Sequence, residues 1–216
     1  MAIYHLHGGF VSRSTGRSAV QCAGYISGMV LKETRRDLIA DYRHCSSDVI
    51  FCTTIAPEYA PALAKNLSIW DSVETYEDRY ATLRYRTEAA QEQYKHCAQV
   101  AQTIEVALPK ELSPEIWQEL ITDFVTERFV SRGLVVTLAI HNEQGNPHAH
   151  FQISRRSINE KGEWSWTKDR EIASKVSLRE TRKLWAEKVN LFLEREGFVQ
   201  RVDHRPRRAG RRGQRI

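Results

Sequence analysis

A β-hairpin that carries three histidines is the feature that most limits how this chain can fold. The strand-like runs "GLVVTLAIH" and "HAHFQIS" flank "NEQGNP", a polar segment typical of a turn. Residues two apart in a strand point to the same face, so His148 and His150 project together. The turn brings His141 alongside them. The pattern therefore predicts three imidazoles that converge at one point of a sheet.

Three converging imidazoles indicate a metal site. Neutral imidazole is a good ligand for zinc, manganese, cobalt, nickel or copper. Three histidine ligands leave coordination positions open for a substrate, which is the pattern of a catalytic site. The alternative is a polar hairpin whose histidines only form hydrogen bonds. We predict that His141, His148 and His150 bind a divalent metal ion.

The remaining elements predict an α+β protein. Strand-like and helix-like stretches follow the order β-α-β-α-(α)-β-α-β-β-α, and we expect helices to cover one face of the sheet. The first helix is expected over residues 18–33, where Gly24 and Gly28 permit close approach of another backbone or a ligand. No linker is visible before the C-terminal end. We therefore expect one domain over residues 1–200, followed by a tail over residues 201–216.

The tail accounts for most of the positive charge. The chain has a net charge of +5, and residues 201–216 contain seven arginines and one aspartate, which leaves residues 1–200 at about −1. Such a segment cannot bury apolar surface, so we expect it to be flexible in isolation. It either contacts nucleic-acid phosphates or is only a solvated terminus.

Composition also indicates a compartment. No apolar run approaches the roughly 18–20 residues that span a bilayer, and "MAIYHLHGGFVSR" lacks the pattern of a signal peptide. The four cysteines are therefore expected to be free thiols in a reducing cytoplasm. We expect a cytoplasmic protein without membrane insertion.

Four segments together resemble the MobA/MobL relaxases of mobilisable plasmids, also called the MOBQ group. They are "MAIYHL", "SRSTGRSAVQCAGYISG", "IEVALPKEL" and "IHNEQGNPHAHFQIS", and they occur in the order found in that family. The resemblance covers nearly the whole chain, from Met1 to "VDHR" at Val202–Arg205. It implies the HUH-type relaxase and replication-nuclease fold, in which helices cover an antiparallel central sheet.

The resemblance also implies a function. Relaxases cut one strand of plasmid DNA at the origin of transfer, remain attached through a 5′-phosphotyrosyl bond, and religate the strand. On this sequence Tyr25 corresponds to the nucleophile, and His141, His148 and His150 correspond to the ligands of a divalent metal such as manganese or magnesium. Glu105 matches a glutamate that orients a ligand histidine or helps to take the tyrosine's proton.

The implied partners are single-stranded and hairpin DNA at the origin, accessory mobilisation proteins and a type IV coupling protein. Candidate phosphate contacts are arginines before the first helix and in the tail, and their alternative role is that of exposed solvating residues. These arginines are Arg13, Arg17, Arg205, Arg207 and Arg208.

Four further residues are candidates for the neighbourhood of the site. Trp164 and Trp166 in "EWSW" either stack on unpaired bases or pack in the core. His5 and His7 on the first strand are candidates for lining the site.

Three other functions remain open. A rolling-circle replication initiator or single-tyrosine transposase shares the chemistry, but its histidine motif usually precedes its tyrosine, whereas Tyr25 precedes His148 here. A metal-dependent phosphodiesterase would use an activated water, and Tyr25 would then be dispensable. A DNA-binding module that has lost activity would bind DNA without cutting it.

Overall fold

A five-stranded antiparallel sheet forms the centre of the computed structural model, which describes residues 5–205. The strands of the protein are β1 (Leu6–Ser12), β2 (Val30–Glu33), β3 (Leu38–Asp41), β4 (Val49–Ile55), β5 (Gln99–Ala107), β6 (Val136–Glu143) and β7 (Asn146–Ser154). The central sheet has the order β1-β5-β7-β6-β4, and β2 pairs with β3 in a separate hairpin. The α-helices are α1 (Ala19–Ser27), α2 (Ile69–Arg84), α3 (Glu88–Cys97), α4 (Pro114–Arg128) and α5 (Lys175–Arg195).

Helices cover both faces of the central sheet, so the prediction of one covered face was wrong. Helices α4 and α5 pack on the face formed by residues such as Leu138 and Phe151. Helices α1 and α2 cover the opposite face, where Nε1 of Trp70 donates to Oγ1 of Thr137 over 2.7 Å. Residues 136–141 of β6 are consequently all buried, as expected for a strand covered on both sides. The α+β class and the antiparallel sheet are as predicted.

Helix α1 is shorter than predicted, and the β2–β3 hairpin was missed. The helix ends at Ser27 because Gly28 adopts a left-handed conformation with φ 65°. The chain then continues as β2 instead of a further helical turn. A Cβ atom at Gly28 would lie 2.7 Å from Cα of Ser46, so this glycine does permit the close approach of another backbone segment.

The turn between β6 and β7 contains two residues, whereas six were predicted. Gln144 and Gly145 have φ values of 50° and 74°, as in the type I′ turns that suit two-residue hairpins. The other four residues of the predicted turn pair across the two strands. These pairs are Asn142 with Pro147 and Glu143 with Asn146.

All four cysteines are free. Among residues 5–205, none of the helices combines the length and the apolar character that a bilayer crossing requires.

Candidate active site

The three histidines of the hairpin form one cluster on the face that α1 covers. His141 on β6 lies directly opposite His148 on β7, and His150 lies two residues further along the same face. The distances between ring centroids range from 4.6 Å to 5.5 Å. One nitrogen atom from each ring lies within 4.8 Å of the other two. The convergence predicted from the sequence is therefore present.

Each imidazole has a neighbour that can orient it. The Nε2 atom of His141 donates to the carbonyl oxygen of Ile26 over 2.7 Å, and Nδ1 of His148 donates to that of Asn146 over 2.9 Å. The Nδ1 atom of His150 lies 3.9 Å from a carboxylate oxygen of Glu105. Ligand histidines commonly use one nitrogen for such a partner and the other for the metal.

The protonation of the cluster suits a metal ion. Burial, followed by repulsion from His141 and His148, lowers the pKa of His150 to about 3. Burial also lowers the pKa of His141. Both rings are therefore neutral at pH 7, which is the form that binds metals. The Nε2 atom of His150 is buried without a hydrogen-bond partner, and a metal ion would satisfy it. The cluster thus fits a divalent metal ion.

The structure brings Tyr25 to the histidine cluster. Its ring centroid lies 6.2 Å from that of His150 and 6.5 Å from that of His141. Tyr25 is 47% exposed, so part of this residue is open to solvent. Tyr42 packs edge-on against Tyr25 with centroids 6.0 Å apart. Tyr42 was not predicted from the sequence.

The phenol of Tyr25 is protonated at neutral pH. Partial burial, followed by the neighbouring Cys45 and Glu105, raises the pKa of Tyr25 above its ordinary value of 10. A protonated phenol is a weak nucleophile and needs a base or a nearby positive charge to react. In this protonated form, the Tyr25 hydroxyl group is therefore a weak nucleophile.

Helix α1 is fastened to its surroundings near both of its ends. At the first turn, the Ala19 carbonyl oxygen accepts a hydrogen bond of 2.8 Å from Gln152, and the Ala19 amide donates to the Glu74 carboxylate over 2.7 Å. At the last turn, the Ile26 carbonyl oxygen accepts the bond from His141. These contacts fix the height and rotation of the helix above the sheet, and hence the position of Tyr25.

A cleft of about 550 Å³ begins at Tyr25 and runs between α1 and β1. His150 and Glu105 line its floor near Tyr25, and Arg17 and Gln21 line it further along α1. His7 also lines it, opposite Glu105 on the neighbouring strand. The cleft is lined by both apolar and polar side chains, including the cation of Arg17, and it leads to His150 of the histidine cluster.

Arg13 does not face solvent as the prediction of a phosphate contact requires. The Arg13 side chain is only 4% exposed. Its Nε atom donates to the Glu74 carboxylate over 2.8 Å. Its Nη1 atom donates to the Asp78 carboxylate over 2.6 Å and to the Lys95 carbonyl oxygen over 3.2 Å. The sequence suggested exposure because the surrounding segment is polar, but the acidic partners lie more than 60 residues away. Arg13 joins the segment before α1 to α2 and α3.

An Arg13→Ala protein is expected to lose about 3–5 kcal/mol of unfolding free energy, because Glu74 would stay buried without its partner. Urea unfolding of the purified protein measures this loss. The matched control is Arg17→Ala, whose exposed side chain should change stability by less than about 0.5 kcal/mol. If Arg13→Ala unfolds at the same urea concentration as the original chain but binds DNA more weakly, Arg13 is a phosphate contact after all.

The other predicted DNA contacts have different surroundings. Arg17 is exposed beside the cleft. Arg205 is exposed and donates to Asp203 over 2.7 Å, and Arg207 and Arg208 lie outside the described residues. Trp164 packs in the core, and its indole nitrogen donates to Ser72. Of the two roles considered for Trp164, base stacking and core packing, this position fits core packing.

Comparison with known proteins identifies relatives in bacterial DNA transfer. A model of the MobA/MobL family matches residues 17–213. The chain is 34% identical over 174 residues to the probable mobilization protein MobA of Bifidobacterium longum. This alignment covers 79% of this chain and 28% of that protein. It is 31% identical over 225 residues to mobilization protein A of Escherichia coli, with coverages of 95% and 27%. The chain thus spans less than a third of the length of these curated relatives.

Solved structures show the same fold. A structure described as the molecular basis of vancomycin resistance transfer in Staphylococcus aureus matches with a TM-score of 0.80 and 27% identity, covering 95% of this chain and all of that one. The metal-bound conjugative relaxase TrwC in complex with oriT DNA matches with a TM-score of 0.58 and 12% identity, covering 92% and 73%. The relaxase fold implied by the sequence is confirmed, and with the family model matching most of its length, the chain belongs to the MobA/MobL family.

Proposed function

We propose that this chain is a relaxase that nicks one DNA strand at an origin of transfer and later rejoins it, with residues 1–200 as the catalytic domain. The supporting observation is that the Tyr25 ring lies 6.2 Å and 6.5 Å from two rings of the histidine cluster, at the mouth of an open cleft. A nucleophile and a metal site in this arrangement can act on the same phosphate.

His141, His148 and His150 would hold the divalent metal, for which manganese and magnesium are the candidates. A metal ion held there would neutralise negative charge on the phosphate and help to align the phosphorus with the attacking oxygen. Glu105 has two candidate roles: it can orient His150, because its carboxylate lies 3.9 Å from the Nδ1 atom of that ring, and it can accept the Tyr25 proton. It also contributes to the raised pKa of Tyr25, so it favours the protonated phenol until a cation occupies the site.

In the nicking step the Tyr25 hydroxyl oxygen forms a bond to phosphorus, and the bond from phosphorus to the 3′ oxygen breaks. The phenolic proton leaves to a base, with Glu105 the candidate acceptor, and the departing 3′ oxygen takes up a proton. The product is a free 3′ hydroxyl and a 5′-phosphotyrosyl bond. Because one phosphodiester replaces another, the reverse attack by a 3′ hydroxyl rejoins the strand without ATP.

The DNA would enter along the cleft. Arg17 is exposed at its edge and is the phosphate contact that the structure supports best, while Arg205, Arg207 and Arg208 remain proposed contacts of the tail. The MobA relative is named for mobilization, and the structural neighbour TrwC is solved in complex with oriT DNA and with a DNA that comprises a recognition hairpin and a cleavage site. By the same reasoning we propose hairpin and single-stranded origin DNA, accessory mobilisation proteins and a coupling protein as partners, in the bacterial cytoplasm.

The test is a covalent adduct. The protein is incubated with Mn²⁺ and single-stranded oligonucleotides that tile the origin of the element encoding the chain, and the peptides are then analysed by mass spectrometry. We expect one peptide, the one that contains Tyr25, to gain the mass of the 5′-phosphorylated product. Cleavage without any adduct would instead indicate a metal-dependent phosphodiesterase that uses water. Binding without cleavage in any divalent metal would indicate an inactive binding module.

A further inference from the structure

A second surface, separate from the cleft, carries a continuous set of aromatic rings. Tyr80 contacts Trp166 with ring centroids 4.6 Å apart and Tyr94 with centroids 5.3 Å apart, and Tyr94 contacts Tyr85 at 5.4 Å. We call these four residues the aromatic patch. Trp166 is 46% exposed, and the three tyrosines are partly buried. A large indole face is thus held in solvent on a base of other rings.

The exposed indole is fixed in place. The Arg156 guanidinium donates to the carbonyl oxygen of Trp166 and lies 4.3 Å from the ring centroid of Tyr80. Trp164, two residues earlier, is buried and forms a hydrogen bond. The segment therefore buries one tryptophan and leaves the other half exposed on a rigid support. An ordered aromatic side chain can stack on a ligand with little loss of conformational entropy.

Cationic side chains lie beside the patch. The buried Glu77 faces two cations, Arg156 at 2.9 Å and Lys168 at 3.2 Å, so this group carries a net positive charge. Arg84 and Arg86 are exposed at the Tyr85 end of the patch, and neither forms an ion pair within residues 5–205. Rings combined with unpaired arginines are the chemistry that binds single-stranded nucleic acid, since bases stack on the rings and phosphates contact the arginines.

The patch lies at the far end of the strand that carries the metal ligands. Arg156 follows His150 by six residues, which corresponds to about 20 Å along an extended chain. Arg17 lines the cleft four residues after Arg13, and Arg13 bonds to the Lys95 carbonyl of α3. Helix α3 also carries Tyr94 of the patch. A DNA strand leaving the cleft in this direction would reach the patch.

We propose that the aromatic patch, with Arg84 and Arg86, binds a single-stranded DNA segment that flanks the nicking position. Trp166 stacks on a base, and the two arginines contact phosphates. This inference rests on the proposed function for the identity of the DNA, but binding at the patch requires neither a metal ion nor cleavage.

The first experiment measures binding without catalysis. The probe is a fluorescent oligo(dT) of about 30 nucleotides, which exceeds the roughly 4–16 nucleotides that a compact single-strand site covers. We expect Trp166→Ala to weaken binding by about 5-fold to 100-fold, the range for one lost base stack. Tyr59→Ala is the matched control, because Tyr59 is 51% exposed but lies outside the patch, and its affinity should match that of the original chain. Circular dichroism checks that both variants fold.

The second experiment does not disturb ring packing. Replacing Arg84 and Arg86 together with glutamine removes two phosphate contacts, so the slope of log affinity against log salt should fall by about 1.4. Arg179→Gln, at an exposed position on α5, is the control and should leave the slope unchanged. If the Trp166 variant and the double arginine variant both bind oligo(dT) like the original chain, the patch is not a DNA-binding surface.

The two proposals fail separately. Trp166→Ala should lose oligo(dT) affinity and need a higher DNA concentration to form the Tyr25 adduct, whereas Tyr25→Phe should form no adduct at any DNA concentration and still bind oligo(dT). A protein that never forms the adduct, but loses oligo(dT) affinity on Trp166→Ala, would refute the nicking function and keep the patch.

Discussion

A Tyr25→Phe protein is expected to form no covalent complex with origin DNA, and its nicking rate should fall by at least about 10⁴-fold. Losses of this order follow when the nucleophile of a covalent mechanism is removed. Phenylalanine keeps the ring that packs against Tyr42, so fold and DNA affinity should be preserved. Denaturing electrophoresis with a labelled oligonucleotide measures both the nicked strand and the shifted protein band.

The control for this experiment is Tyr42→Phe, the neighbouring tyrosine that also lines the cleft. It should retain adduct formation, because its ring still packs against Tyr25 and only its hydroxyl is lost. If Tyr25→Phe still cuts DNA while Tyr42→Phe does not, the nucleophile has been assigned to the wrong tyrosine. If both variants cut at the original rate, a water molecule is the attacking group.

A His150→Ala protein is expected to lose at least about 100-fold in Mn²⁺ affinity, more than the 10-fold to 100-fold that an outer partner of a ligand contributes. Isothermal titration calorimetry measures the affinity directly. Thermal unfolding offers a second measurement, since Mn²⁺ at 100 times its dissociation constant should stabilise the original chain by about 2.7 kcal/mol and leave the variant unchanged. Chelation of the metal should remove the same stabilisation.

Without metal, the His150→Ala protein should be at most about 1 kcal/mol less stable than the original chain. The reason is that the Nε2 atom of His150 is buried without a partner, and its removal ends that penalty. The matched control is His96→Ala, an exposed histidine on α3 that should change neither metal affinity nor stability. Unchanged Mn²⁺ affinity in His150→Ala would refute the histidine cluster as the metal site.

The histidine cluster could be predicted from sequence because it depends on local geometry. A two-residue turn sets the register of β6 and β7, and strand alternation then places His148 and His150 on the face of His141. The sequence contained the period-two spacing and the turn residues, so pairing at short range was sufficient. The length of the turn was wrong because positive φ at Gln144 has no strong sequence signal.

The position of Tyr25 depends on contacts that no local pattern contains. Helix α1 is held by Gln152 and His141, which follow their partners by more than 100 residues. Periodicity could predict a helix there, but not which residues of the sheet it would cover. The resemblance to relaxases implied only that Tyr25 and the three histidines act in one reaction. The exposure predicted for Arg13 was wrong for the same reason, because no pattern near it in the sequence indicates Glu74 as its partner.

The hydrogen bonds that hold α1 near its two ends restrict how the length of this segment can vary in evolution. The anchored carbonyls of Ala19 and Ile26 are seven residues apart, with Tyr25 between them. One inserted or deleted residue would turn part of the helix by about 100° relative to one anchor, so either the anchor or the tyrosine would move out of place. The exposed tip at Gln144–Gly145 is constrained only by the register of β6 and β7, and a longer loop can join the two strands in the same register. Length differences among descendants of this chain should therefore accumulate at the hairpin tip and be absent from α1.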